Sequence, residues 1–212
     1  MARITGILTK PLTQLEAIRS RLVDAGKSFN LPADSELSMF NENNEQLILF
    51  FSEGAIVLHR EMDDLLMDLI SAPTCIGLAN ILKPSKFKYR VITQTDCHGF
   101  TIPIRHAFEI IEKNKLWQPV CHWTTFLLHS LENRDARFIG ATKYSQIRAT
   151  LLIMDSWSPE LRERTGVITF VQKRTKISRS VIAEILSALR KGNYIEMDKG
   201  KLKKVNRLPT SY

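Results

Sequence analysis

The stretch TKISRSVIAEILSALRKGNYIEMDKGKLKKVN, residues 175–206, leaves few ways to fold. Val181, Ile182, Ile185, Leu186 and Leu189 recur at helical spacing, so one face of a helix is apolar. Ser178 stands where an N-cap would, and Gly192 where a C′ glycine would end the helix. YIEM and KLKKV then alternate around DKGK, where Gly200 supplies the positive φ of a tight hairpin. Just upstream, VITFVQKR forms a short helix with Val167, Phe170 and Val171 inward, and TKIS makes a tight connection. Two helices across a tight turn, followed by a ribbon, describe a helix-turn-helix with a wing.

The face opposite the apolar stripe carries Arg179, Ser180, Ala183, Glu184, Ser187, Arg190 and Lys191. Three of these are small, so another surface can come close to the helix axis. Arg179 in the first turn can fork onto a guanine edge or a phosphate, while Ser178 and Ser180 can donate to phosphate oxygens. Lys199, Lys201, Lys203 and Lys204 along the ribbon suit phosphates, which give affinity without sequence information. Lys176, in the connecting turn, joins this DNA-facing set. The charge is divided to match. Residues 1–140 hold 15 Lys+Arg against 16 Asp+Glu, whereas residues 141–212 hold 15 against 6. Double-stranded DNA is the expected partner. A solvated basic face would show the same charge. So would a sensor or protein-interaction module whose basic tail binds any polyanion, and specificity separates these readings from a DNA regulator.

The remainder of the chain changes texture twice. KPLTQLEAIRSRLVDA has Leu12, Leu15, Ile18 and Leu22 at amphipathic helical spacing, stopped at Gly26. From about 28 to 104, QLILFF, GAIVLHR, LLMDLI, YRVITQT and HGFTIPI are short apolar or alternating runs broken by turn residues, the pattern of a β-sandwich or roll. RHAFEIIEKN restores helical texture, and a longer helix runs from Trp117 to about Ile139. There Val120, Thr124, Leu127, Leu131 and Phe138 fall on a heptad seam interrupted by Arg134, with Trp123 and Phe126 on a second face. One stripe then packs on the roll and the seam pairs with a second copy, giving a homodimer; a single-face core helix with a ragged stripe is the plainer alternative. Pro119 fits only in the first turn of that helix. Gly140 marks a hinge, after which Thr142 or Ser145 caps a helix bearing Ile147, Leu151 and Met154, and Ser158 caps another with Pro159 at its first position.

The order of roll, heptad helix, hinge and winged helix-turn-helix resembles the cyclic-AMP receptor and fumarate-nitrate regulator superfamily of bacterial transcription factors. SRSVIAEILSALRKGNYIE is similar to that superfamily's Ser-Arg recognition-helix signature with its helix stop and wing, and IRATLLIM takes the place of the helix after the hinge. SRSVIAEILSALRKGNYIEMDKGKL further resembles the enterobacterial subgroup of hydrogen-peroxide-resistance regulators. The resemblance spans nearly the whole chain and is specific from about 143 to 209. It implies an α+β protein: a cyclic-nucleotide-binding-like β-roll (jelly roll) with flanking helices over 1–115, a dimerisation helix over 116–140 and a winged domain over 141–212. It places Ser178, Arg179 and Ser180 at DNA, and it implies RNA polymerase as a further partner.

Two departures limit what carries over. Ser180 stands where the cyclic-AMP receptor has Glu, and Glu184 where it has a base-contacting Arg, so that receptor's operator is not implied. Lys176 takes a turn position usually held by Gly. In the roll, IGLANILKPSKFKYRVIT keeps Gly77, but Leu78 replaces the ribose-binding Glu, and Lys88 and Arg90 lie near the place of the phosphate-binding Arg without matching it. A ribose hydroxyl buried without its acceptor costs affinity, so no cyclic-AMP response is expected, and the effector is left unknown.

Other chemistry is sparse. Cys75, Cys97 and Cys121 lack CxxC spacing, so neither a zinc finger nor a disulfide framework is expected, and the N-terminal cysteines of iron–sulfur oxygen sensors are missing. Cys75, beside Gly77 at the expected pocket entrance, is the candidate oxidant-sensing thiol. His122 and His129, seven apart beside Cys121, could meet a metal across a dimer, but isolated histidines are far commoner, and no metal or cofactor is expected. No nucleophile elbow, P-loop, GxGxxG or HExxH occurs, so catalysis is not expected. No apolar run approaches a membrane span and no h-region follows the N-terminal basic residue, so a cytoplasmic protein without a membrane partner is expected.

Overall fold

A computed structural model describes residues 8–210. Long-range contacts divide the chain into two units, Met1–Asp63 with Met67–Asn133, and Asp64–Leu66 with Arg134–Tyr212.

The first unit begins with α1 (Leu12–Leu22), which runs on through a 3-10 turn to Gly26. Leu15, Ile18 and Leu22 are buried, but Leu12 at the start of the stripe is 47% exposed. Strands β1 (Lys27–Leu31), β3 (Leu47–Glu53), β6 (Thr74–Ile76) and β8 (Cys97–Pro103) form one sheet in the order β1-β8-β3-β6. Strands β2 (Glu36–Leu37), β4 (Ala55–Arg60), β5 (Leu65–Ser71) and β7 (Tyr89–Thr93) form another in the order β2-β7-β4-β5.

β3 shows why the sandwich closes. Both of its faces are apolar, which suits a strand covered on two sides. Leu49 and Phe51 join Leu37, Met39, Ile56, Val91 and Cys97 in one cluster. Ile48 and Phe50 join Phe100, Ile102, Leu78 and residues of α1 in a second cluster. That second core also takes Ala107 and Ile111 of α2 (Ile104–Lys113) and Val120 and Trp123 of α3 (Trp117–Phe138). Phe50 and Phe100 stack across it at 4.8 Å.

α3 keeps Pro119 inside its first turn, where the missing N–H has no intrahelical partner to lose. Its seam differs from the sequence expectation. Val120, expected to face a second copy, is 6% exposed and belongs to the core of its own subunit. Leu127 leans on that same core. Phe138, expected on the seam as well, lies under the Arg174 guanidinium, 5.2 Å from its ring centroid. Thr124 and Leu131 remain exposed, as do Cys121 and Leu128. The heptad that faces outward is therefore Cys121, Thr124, Leu128 and Leu131, about 50° round the helix from the expected one, because Trp123 fixes which side turns inward.

Gly77 takes φ +92°, and a Cβ there would stand 2.8 Å from the Leu47 carbonyl oxygen, so glycine is required. Leu78 behind it is fully buried in the core. Arg90 lies 3.8 Å from Glu36 on the neighbouring strand, and Lys88 is exposed. The order of the thiols also changes: Cys75 is 1% exposed, and burial pushes its thiol well up, whereas Cys121 is exposed. Cys75 is thus a core side chain that resists ionisation, not an entrance thiol.

Among the described residues, no helix is long and apolar enough to cross a membrane, and no three His, Cys, Asp or Glu gather as metal ligands. His122 and His129 are both exposed on α3.

Candidate nucleic-acid interface

The second unit is built around α4 (Lys143–Asp155), α5 (Pro159–Arg164), α6 (Val167–Thr175), α7 (Arg179–Lys191) and the ribbon β9 (Ile195–Asp198) and β10 (Lys201–Val205). Thr142 caps α4 by accepting from the Ser145 amide at 3.1 Å, and Ser158 caps α5 by accepting from the Leu161 amide at 3.4 Å. Ile147, Leu151, Met154, Val167, Val171, Ile182, Leu189 and Leu202 are wholly buried, so all three longer helices and the ribbon share the core. Trp157 meets the Phe170 ring edge-on at 4.8 Å.

α6 and α7 are joined by Lys176, Ile177 and Ser178. Ile177 is 7% exposed and anchors the turn. Lys176 takes the left-handed conformation at φ +59°, ψ +13°, which accounts for the glycine usual at this point: a Cβ is disfavoured there. Its amide donates to the Gln172 carbonyl at 2.9 Å and closes α6. Ser178 occupies the N-cap position of α7, but its hydroxyl makes no cap bond and lies 3.2 Å from the Ser180 hydroxyl. Both hydroxyls therefore face out at the helix start.

The end of α7 departs from expectation in detail. Gly192 has φ −81°, and the left-handed residue is Asn193 at φ +55°. The Tyr194 amide donates to the Leu189 carbonyl at 2.9 Å and the Asn193 amide to that of Arg190 at 3.0 Å, a Schellman ending with Asn at C′. Asn tolerates that backbone region better than other non-glycine residues, so glycine was free to move one place earlier.

Lys199 and Gly200 form the two-residue hairpin loop with φ +44° and +79°, the mirror-image turn that matches strand twist. The wing is tied down at several points. The Val167 amide donates to the Gly200 carbonyl at 3.0 Å. Asp155 accepts from the Val205 amide at 2.9 Å and from Arg162 at 3.3 Å. Lys201 is half-buried and donates to the Arg164 carbonyl at 3.0 Å, and Lys203, at a bulge in β10, pairs with Glu163 at 3.0 Å. Of the four ribbon lysines, Lys199 and Lys204 are exposed without a hydrogen-bond or ion-pair partner among the described residues. Lys201 and Lys203 are also anchors of the wing.

Ser178, Arg179, Ser180, Ala183, Glu184 and Ser187 are all exposed, as are Arg190 and Lys191 further along α7. Ile182, Leu186 and Leu189 hold the opposite side in the core. One turn-to-turn face thus offers hydroxyls, a guanidinium and one carboxylate with little bulk between them. Sequence reasoning missed Asp155: its main-chain partner lies 50 residues away, and nothing local signals it.

The winged helix-turn-helix DNA-binding family matches residues 143–210, which are nearly all of this unit. The chain is 40% identical to the inhibitor of hydrogen peroxide resistance of Escherichia coli K12 over 205 residues, covering 97% of this chain and 99% of that protein. The c-di-GMP-responsive global regulator CLP of Xanthomonas campestris matches at TM-score 0.72 and 12% identity over 92% of this chain and 100% of that one. A crp/fnr family transcriptional regulator from Eubacterium rectale matches at TM-score 0.63 and 14% identity over 92% and 94%. The crp/fnr regulator fold, with a C-terminal winged helix-turn-helix DNA-binding domain, is the architecture of this chain, and the chain belongs to the family of inhibitors of hydrogen peroxide resistance.

Proposed function

We propose that the protein is a homodimeric transcription regulator that reads a palindromic DNA site and acts in resistance to hydrogen peroxide. The exposed face of α7 carries this reading, with Arg179 between two outward hydroxyls and Ile182, Leu186 and Leu189 buried on the opposite side. Ser178, Arg179, Ser180, Ala183, Glu184 and Ser187 enter the major groove, and Lys176, Lys199, Lys201 and Lys203 hold flanking phosphates. The exposed heptad of α3 supplies a surface for the second copy. Leu78, buried where the resemblance expects a ribose-binding carboxylate, supports a regulator that does not answer to cyclic AMP. The protein acts in the cytoplasm by helping or blocking RNA polymerase, without catalysis of its own.

The test is a footprint of the full-length protein on the DNA upstream of its own gene. Two protected arms about one helical turn apart, roughly 34 Å, are expected. Uniform protection along the duplex would refute the reading and leave a general polyanion binder.

A further inference from the structure

Glu184 is the one acid on the exposed face of α7. A surface glutamate on a helix gains from a cation three or four residues away. Here those positions hold Ser180, Val181, Ser187 and Ala188, and among the described residues the carboxylate has neither an ion-pair nor a hydrogen-bond partner. It sits on a surface that otherwise suits a polyanion, where phosphates repel it. Ser180, Ala183 and Ser187 around it are too short to hold it back from the floor of a groove.

The major groove offers a carboxylate only two kinds of base donor, the amino groups of cytosine and adenine. The adenine amino group lies between two acceptors, its own N7 and the O4 of thymine. The cytosine amino group has one acceptor beside it, the O6 of guanine, and a C–H on its other side. A carboxylate is therefore repelled least at cytosine. We infer that Glu184 is a specificity-determining residue that selects a cytosine, accepting from its N4 amino group and disfavouring the other three bases at that position. This rests on the reading of α7 as the recognition helix. Five residues separate Glu184 from Arg179, about 7.5 Å along the axis, so the cytosine lies about two base-pair steps from the guanine or phosphate met by Arg179. The same carboxylate weakens binding to DNA that lacks the cytosine, which turns a basic domain into a discriminating one.

The experiment is selection of binding sites from a randomised duplex library by the full-length protein, beside Glu184→Ala and Glu184→Gln, followed by titration of single-base variants. The wild type should enrich a half-site with one cytosine whose replacement weakens binding about tenfold. Glu184→Ala should accept all four bases there within about twofold while other positions hold. Glu184→Gln should move the preference toward adenine, whose N6 and N7 an amide pairs together. An identical consensus from all three proteins would sink the inference and leave α7 as the reading helix. Failure of the wild type to enrich any site would sink both.

Discussion

Three thiols in one chain meet two different fates, and the side chain's surroundings decide each. Cys75 and Cys97 are buried, and burial pushes both thiols up, while Cys121 lies open on α3. In a subunit kept monomeric by Leu131→Asp, a thiol reagent should therefore label Cys121 quickly and the other two cysteines only on unfolding; rapid labelling of Cys75 would contradict its placement. The same shift sets a pH dependence. The folded chain keeps the Cys75 proton while the unfolded chain releases it above about pH 8.5, so the contribution is whole below that pH and declines as pH rises. Urea melts should lose about 1 kcal/mol per pH unit above 8.5 from this group, and Cys75→Ala should lack that loss.

At the scale of elements, the wing shows what a sequence conceals. Gly200, the lysines around it and the apolar stripe of α7 were legible because each rests on neighbours within a few residues. The short apolar or alternating runs of β3, β4 and β8 were legible for the same reason. Asp155 was not, since its amide partner at Val205 comes from across the fold. Nor was the true outer face of α3: two heptad registers fit the spacing, and only burial of Trp123 and Val120 chooses between them. Asp155→Ala leaves the Val205 amide without its acceptor and Arg162 with only the residue 155 carbonyl, and should destabilise the second unit by about 1–3 kcal/mol. Asp155→Asn keeps an acceptor oxygen and should recover part of that in a thermal melt. Leu128→Asp or Leu131→Asp places a charge on the exposed heptad and should shift the protein from dimer to monomer in sedimentation at micromolar concentration. A substituted protein that stays dimeric would move the interface off α3.

Across the whole molecule, a near-neutral first two-thirds is joined to a last third with a large excess of cations. On the proposed reading that division makes affinity and choice separate properties: the lysines would bind any duplex with steep salt dependence, and α7 would decide which duplex is kept. The central claim is that α7 reads sequence. Its most direct test is fluorescence-anisotropy titration of the upstream DNA of the protein's own gene against unrelated competitor duplex, over a range of salt, for wild type and Arg179→Ala. Preference for the upstream DNA that disappears with Arg179→Ala is the predicted result. Equal, salt-sensitive binding to every duplex, untouched by the substitution, would contradict it.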